Sequence, residues 1–340
     1  MSLTRAIETG DLAELPSRRD EDWRWTDLRG LIRALPASSE AFAGDLGAGP
    51  FDEVATRRAS IVNGRGAEHV AIEPHDRVLA VRFVGEGAGA HSAALRLAIR
   101  GRVTLLETHE GAGDYLSEID LALDVDEGAS LERIVLCDEP AGAVSVSRAG
   151  VTLAPGARFS QTVIAAGARR QRVETHLVHS GGGAAARLDG LYLLGDQRHA
   201  DITTVVTHAG RAGATDQLTK GVVRDQARGV FQGRIVVAEG ADKTDARMGH
   251  HALILSDRAE VDAKPELEIF ADDVACAHGN TVGAFDEDAL FYAEQRGIPE
   301  AEARAMLTEA FVGEVIDRIE HEGARETVRA WVAERLRTSS

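Results

Sequence analysis

The chain has 340 residues, with 38 Lys plus Arg against 55 Asp plus Glu and a formal net charge of −17. A field of that sign repels nucleic acid and anionic lipid, which argues against a DNA, RNA or membrane-surface binder. Its two cysteines, Cys137 and Cys276, exclude a disulfide framework and any cysteine-only zinc or iron–sulfur site within one chain.

No apolar run approaches the roughly 20 residues needed to span a bilayer. Residues 1–10 carry Arg5 and Glu8 and lack the apolar stretch of a signal peptide, so a cytoplasmic location is expected. The first zone, residues 1–50, places Leu12, Leu15, Trp23, Leu28, Leu31, Ile32 and Leu35 at roughly helical spacing. Pro16 and Ser17, followed by Asp20 and Glu21, read as a helix start before Trp23. Residues 37–50 are rich in Ala, Gly and Ser and read as a loop.

The second zone, residues 51–284, alternates. The apolar run 78–84, the segment 95–99 and the segment 118–125 carry the period of two that marks strands. No helical pattern of 12 residues separates them, which argues against a βαβ sheet. Segments beginning at Leu131, Phe159, Leu188, Phe231 and Val261 resemble one another, and their starts step by 28, 29, 43 and 30 residues. A turn cluster precedes most of them, and the long step holds a further extended run, 201–207. A period near 28–30 built from strands predicts a β-solenoid, with an ordinary β-sandwich as the alternative. The 35 glycines suit its turns.

The third zone, residues 285–340, is helical. Pro299 with Glu300 and Glu302 forms a helix start, and Ala303, Met306, Leu307, Ala310, Phe311, Val315 and Ile319 form an apolar stripe.

Motifs of catalysis are missing. The chain has no Gly-x-x-x-x-Gly-Lys-Ser/Thr loop, no Gly-x-Ser-x-Gly elbow and no His-Glu-x-x-His, and the run Gly181, Gly182, Gly183 reads as a turn. The twelve histidines include the loose pairs His176/His179, His199/His208 and His250/His251, to none of which the sequence gives a role. His199 and Asp201 fall on one face of a strand. In residues 265–283 (PELEIFADDVACAHGNTVG), an extended backbone points Cys276 and His278 the same way. A thiolate and an imidazole suit zinc, iron or copper, and Asp272 and Asp273 are near enough in sequence to add oxygen. Two ligands do not close a site, so these residues alone leave two readings open: a buried structural cysteine, or half of a site that another chain completes.

Residues 265–283, followed by 285–292 (FDEDALFY) and Arg296, Gly297 and Ile298, closely resemble the SufB/SufD family, on its SufD side. Residues 19–28 (RDEDWRWTDL), 220–222, 230–236 (VFQGRIV) and 241–245 (ADKTD) also fit, and the strong matches cover about 197–320. The resemblance implies a right-handed parallel β-helix flanked by helical regions, and a scaffold subunit with no turnover of its own. It implies pairing with a SufB-like paralogue and docking of an ABC-type ATPase, SufC-like, in an iron–sulfur cluster assembly complex. No cofactor would be held stably by this chain alone; an iron–sulfur cluster would pass through transiently, and there is room for a flavin in the complex. His278 matches the family histidine at the interface between paralogues, as a metal ligand shared with the partner chain, and Cys276 a cysteine beside it. Phe291, Tyr292, Arg296, Gly297 and Phe311 fall in the ATPase-docking region. SufB-like proteins are the neighbouring alternative; they tend to be longer, carry more cysteines and have glutamate where this chain has His278. Met248, Gly249, His250 and His251 depart from the Gln/Asn/Arg-rich stretch of many members. Two remoter alternatives are a β-helix enzyme acting on polysaccharide and a homodimer storing metal through Cys276 and His278. Without its paralogue the chain has the means to pair with itself through an edge strand.

Overall fold

A computed structural model of the chain describes residues 2–67 and 77–338. Among these described residues, sixteen strands follow the short N-terminal elements. They run β1 (Arg57–Val62), β2 (Val78–Glu86), β3 (Gly89–Ile99), β4 (Arg102–Ala112), β5 (Tyr115–Val125), β6 (Ser130–Asp138), β7 (Val144–Leu153) and β8 (Arg158–Ala165). They continue as β9 (Arg170–His179), β10 (Ala185–Leu194), β11 (His199–His208), β12 (Ala214–Val223), β13 (Arg228–Val237), β14 (Asp245–Ile254), β15 (Glu260–Ile269) and β16 (Ala275–Gly283). From β2 onward the even strands stack into one sheet, which β1 extends to nine strands, and the odd strands stack into a second sheet of seven. Every pairing between strands is parallel, so each coil of the chain lays one strand on each sheet and the whole is a β-solenoid. The predicted strands at 78–84, 95–99 and 118–125 lie inside β2, β3 and β5.

The repeat is real, and the irregular step has a simple cause. Leu131 pairs with Phe159 on the even sheet, and Leu188 lies on the next strand of that sheet. Phe231 and Val261 belong to β13 and β15 on the odd sheet. The 43-residue step therefore crosses from one sheet to the other as well as advancing a coil. One register column shows the true period: Leu105, Arg133, Gln161, Leu188, Gln217, Met248 and His278 stand in line across the even sheet. The coil corners repeat their backbone too. Gly128 and Gly156 both turn at φ 66°, and Asp196 and Asp225 at 56° and 57°. Left-handed backbone favours glycine and tolerates aspartate, so these corners account for part of the glycine content.

Alternate residues of both sheets point inward and fill the lumen, with Leu79, Leu105, Leu131 and Phe159 facing Leu121, Leu123, Val151 and Leu177. Polar side chains in the lumen are paired. Arg133, fully buried, reaches Glu107 through Nε at 2.8 Å and Gln161 through Nη1 at 2.7 Å, and His109 Nε2 lies 2.6 Å from Glu107. Burial alone would raise the Glu107 carboxyl; the Arg133 charge and the hydrogen bond to His109 outweigh it and hold the group at about 2. The imidazoles of His179 and His208 stack at 4.1 Å, and both Nε2 atoms meet the Thr215 hydroxyl.

The outer faces are covered by the two ends of the chain. α1 (Leu3–Thr9), two single 3₁₀ turns and α2 (Leu28–Leu31) lie on the odd sheet, where Leu3, Leu15 and Leu28 pack on Leu116, Val144 and Val146. This segment is less helical than the apolar spacing predicts. Asp20 does not cap a helix: its Oδ2 accepts from the backbone and hydroxyl of Ser17, leaving Glu21–Trp23 as one 3₁₀ turn. The segment is instead pinned by a buried charge cluster. Arg172 donates to Asp201 at 2.6 Å and to Glu174 at 2.5 Å, the Trp23 ring lies 4.3 Å from its guanidinium, and the Thr26 hydroxyl donates to Asp201. His199 Nε2 donates to the Trp25 carbonyl at 3.0 Å. His199 and Asp201 do share one face, as their spacing predicts, and that face anchors the N-terminal segment.

Helices α3 (Glu287–Gln295), α4 (Glu300–Ile316) and α5 (Glu322–Thr338) close the chain. Val312, Val315 and Ile316 with Val328 and Val332 pack on Leu106, Ile134 and Leu191 of the even sheet. Pro299 precedes α4 as its spacing predicts. The buried stripe is rotated from the expected one, because Thr308, Val312 and Ile316 point inward while Met306 and Ala310 are exposed. Among the described residues no helix is long and apolar enough to cross a membrane.

Two outcomes follow from these burials. Asp201→Ala leaves Arg172 buried with only Glu174, and a broken buried pair costs about 3–5 kcal/mol; the urea midpoint should fall and limited proteolysis should open the N-terminal segment first. Burial also lowers His91, His199, His208 and His250 from 6.5 to about 4, and His179 to about 3. The unfolded chain therefore takes up these protons first as the pH drops, so stability should hold above 6.5 and decline steadily between 6.5 and about 4. A melting temperature recorded at each pH checks the slope; a flat profile across that interval would contradict it.

Candidate functional site at the open end of the solenoid

Both sheets stop at the same end of the molecule, the even sheet at β16 and the odd sheet at β15. β16 bonds to β14 on one side and has no strand among the described residues on the other. Its register places Cys276 beside Ala246, His278 beside Met248 and Asn280 beside His250. Ala246, Met248 and His250 are buried in the lumen, so Cys276, His278 and Asn280 stand in inward-facing columns at the coil where the lumen runs out. The predicted common direction of Cys276 and His278 is thus what the strand provides. Cys276 packs against the edge of the luminal core, and His278 is exposed.

The surroundings of this strand are apolar for a surface. Phe270 is 64% exposed, Ile269 43% and Val282 40%, in a chain that buries most of its large hydrophobic side chains. Unpaired backbone beside exposed apolar groups is the signature of an association surface.

Asn280 was not singled out by the sequence reading, although it continues the same alternation two residues beyond His278. Its Oδ1 lies 2.7 Å from His250 Nδ1, whose Nε2 meets the Tyr192 hydroxyl at 2.8 Å, with the Phe231 ring stacked on the imidazole at 4.8 Å. That chain ties the open strand to the lumen and gives His250 a structural place. His251 faces outward to the Thr281 hydroxyl at 2.6 Å.

The other expected contributors lie apart. Asp273 pairs with Lys243, Asp272 is exposed, and among the described residues no three His, Cys, Asp or Glu side chains come together in a metal-binding group. Within one chain, Cys276 and His278 are two donors, one half-buried and one exposed. Burial raises the Cys276 thiol above its ordinary value, against a lowering contribution from the Ala246 backbone.

The residues expected to dock an ATPase divide into two groups. Phe291 and Tyr292 are 62% and 61% exposed on α3. Arg296 donates to the Tyr292 hydroxyl and lies over its ring at 4.9 Å, and Gly297 turns the chain at φ 82° directly afterwards. Phe311 instead sits against the solenoid, with Lys220 Nζ 4.3 Å from its ring and paired to Glu314.

These features define an open-ended β-solenoid protein with an unpaired Cys–His strand at its edge. The family model for the SUF system FeS cluster assembly SufBD core domain matches residues 85–311, more than half of the chain. The chain belongs to the SufBD family of iron–sulfur cluster assembly proteins. It is 28% identical to the iron–sulfur cluster assembly protein SufD of Escherichia coli, over 98% of this chain and 91% of that one. It is 29% identical to a SufBD family protein of Mycobacterium tuberculosis, over 96% of this chain and 90% of that one. A SufD of Bacillus subtilis is 35% identical over 37% of this chain and 29% of that one.

The two thiols should differ in reactivity. Cys137 is 1% exposed and its thiol is pushed well up by burial, so native protein should leave it unalkylated. Cys276 should react slowly with iodoacetamide at neutral pH and faster as the pH rises past the ordinary thiol value. Mass spectrometry of the labelled peptides reads both, and rapid modification of Cys276 at pH 7 would contradict the assignment.

Proposed function

We propose that this chain is a non-catalytic scaffold subunit for iron–sulfur cluster assembly. In this reading it pairs with a SufB-like paralogue through the open end of its solenoid and carries a SufC-like ABC-type ATPase on its C-terminal helices. The observation that carries the reading is the unpaired strand β16, which presents Cys276 and His278 beside exposed Phe270, Ile269 and Val282. A parallel strand from a second chain would satisfy the free backbone, cover the apolar rim and bring its own donors to the two offered here. The cluster is cargo in this scheme, held between chains and passed on.

His278 is the donor of choice for the shared position. It is exposed and neutral imidazole binds iron well, whereas the Cys276 thiol is kept protonated by burial and would ligate only after losing its proton. Phe291 and Tyr292 on α3, with Arg296 at its C-terminal end, offer a separate exposed surface, and an exposed aromatic pair beside a guanidinium matches the composition of binding hot spots. Phe311 supports that region from behind, through its packing on the solenoid. An isolated chain has the same free edge and apolar rim available for pairing with a second copy.

Co-expression with a SufB-like and a SufC-like subunit, followed by purification through a tag on this chain, should yield a three-component complex; recovery of this chain alone would overturn the reading. His278→Ala should leave the circular dichroism spectrum and the complex intact while lowering cluster maturation in cells. Undiminished maturation would remove His278 from the shared site.

A further inference from the structure

A cavity of about 1250 Å³ lies between the corners of the later coils, the segment that leaves β16, and helices α4 and α5. Its size is at the upper end of what small organic ligands occupy. Its floor is apolar and comes from the strand ends Leu194, Val222, Ile254 and Leu255, with Phe285 at one side.

Its charge runs against the rest of the molecule. In a chain of net charge −17, five guanidiniums line this one cavity, from Arg198, Arg224, Arg304, Arg335 and Arg337, against the carboxylates of Asp196, Asp257 and Glu309. Two of the five are matched by other carboxylates: Arg304 with Glu300 at 2.8 Å and Arg335 with Asp138 at 2.8 Å. Arg198 is half-buried and gives Nη1 to the carbonyls of Glu139 and Gly167, at 2.9 and 2.7 Å. Arg224 Nε lies 3.8 Å from the Asp225 carboxylate. Burial and the nearby Arg335 charge both disfavour the charged form of Arg198. Guanidiniums gathered over an apolar floor, with part of their charge unmatched, are suited to an acidic head group attached to a hydrophobic body.

We propose that this cavity binds a small amphiphilic anion, a carboxylate or phosphate carried on an apolar body. The apolar part lies along Leu194, Val222, Ile254 and Leu255, and the acidic head meets Arg198 and Arg224, with Arg304, Arg335 and Arg337 around the mouth. The site shares no residue with the open end, although α4 and α5, which wall it, belong to the C-terminal helices that carry the ATPase in the reading above. Because its walls come from both the solenoid and the C-terminal helices, an occupant would also brace α4 and α5 against the coils.

The test uses the full chain and the fluorescent anion anilinonaphthalene sulfonate. The expected result is one saturable site per chain, weakened by added salt. Dodecanoate or dodecyl phosphate should displace the dye, and the stronger competitor of the two identifies the head group. Neutral dodecyl maltoside should not displace it. Arg224→Glu with Arg337→Glu should weaken binding about tenfold or more, and Arg224→Lys with Arg337→Lys should retain most of it. Unchanged affinity in the charge-reversed variant would place the dye elsewhere, such as the apolar rim at Phe270, and would overturn the proposal. So would salt-independent binding by the unaltered chain, or equal displacement by the neutral amphiphile; the salt series also decides the matter if the reversed variant does not fold.

Discussion

A parallel solenoid satisfies its backbone by handing each strand's hydrogen bonds to the coil above and the coil below. Everything else in this molecule depends on that arrangement. It demands a near-constant coil length, which appears as the register column from Leu105 to Met248, and it fills the lumen with one layer of side chains per coil. It also leaves the last coil without a neighbour. At β15 and β16 no further strand follows among the described residues, and the luminal columns that should be covered are exposed at Ile269 and Val282, with Phe270 exposed beside them. The place where the fold cannot complete itself is the place where Cys276 and His278 stand.

The remaining elements can be read as answers to the same geometry. A two-sheeted solenoid has two outer faces, and each strand that points alternate residues inward points the others out. The N-terminal segment covers the odd sheet, held there by the Arg172–Asp201 pair and the Trp23 ring more than by its own helical content. The C-terminal helices cover the even sheet with an apolar face. Where those helices diverge from the coil corners, an arginine-lined cavity remains. Buried polar groups in the lumen are partnered strand to strand, as Arg133, Glu107 and Gln161 show, so they fix side-chain order within a core that would otherwise be uniformly aliphatic.

Much of this was legible in the sequence. The alternation over 118–125 and the recurring segments gave the solenoid, because strand patterning and coil length are both local. The common direction of Cys276 and His278 followed from the period of two. What local pattern did not give was the switch of sheet within the 43-residue step, since strands of both sheets share the same apolar signature. The helical spacing around Trp23 misled for a physical reason: those apolar residues meet a sheet surface, Asp20 spends its side chain on a local turn with Ser17, and Thr26 on a tertiary bond to Asp201, instead of on helix caps. Asn280 and its link through His250 to Tyr192 join residues 88 positions apart, which no spacing rule reveals. The cavity arginines come from both the coils and the helices, and only the folded chain gathers them.

The central claim is that β16 is an edge awaiting a strand. Hydrogen exchange of the backbone amides of Ala275–Gly283 tests it most directly, measured on the chain alone and in a complex with the SufB-like paralogue proposed as its partner. The account predicts that the amides not bonded to β14 exchange rapidly in the isolated chain and become protected in the complex, while the inner coils stay unchanged. Equal exchange along β16 in the two states would show that the partner meets this protein elsewhere and would contradict the account.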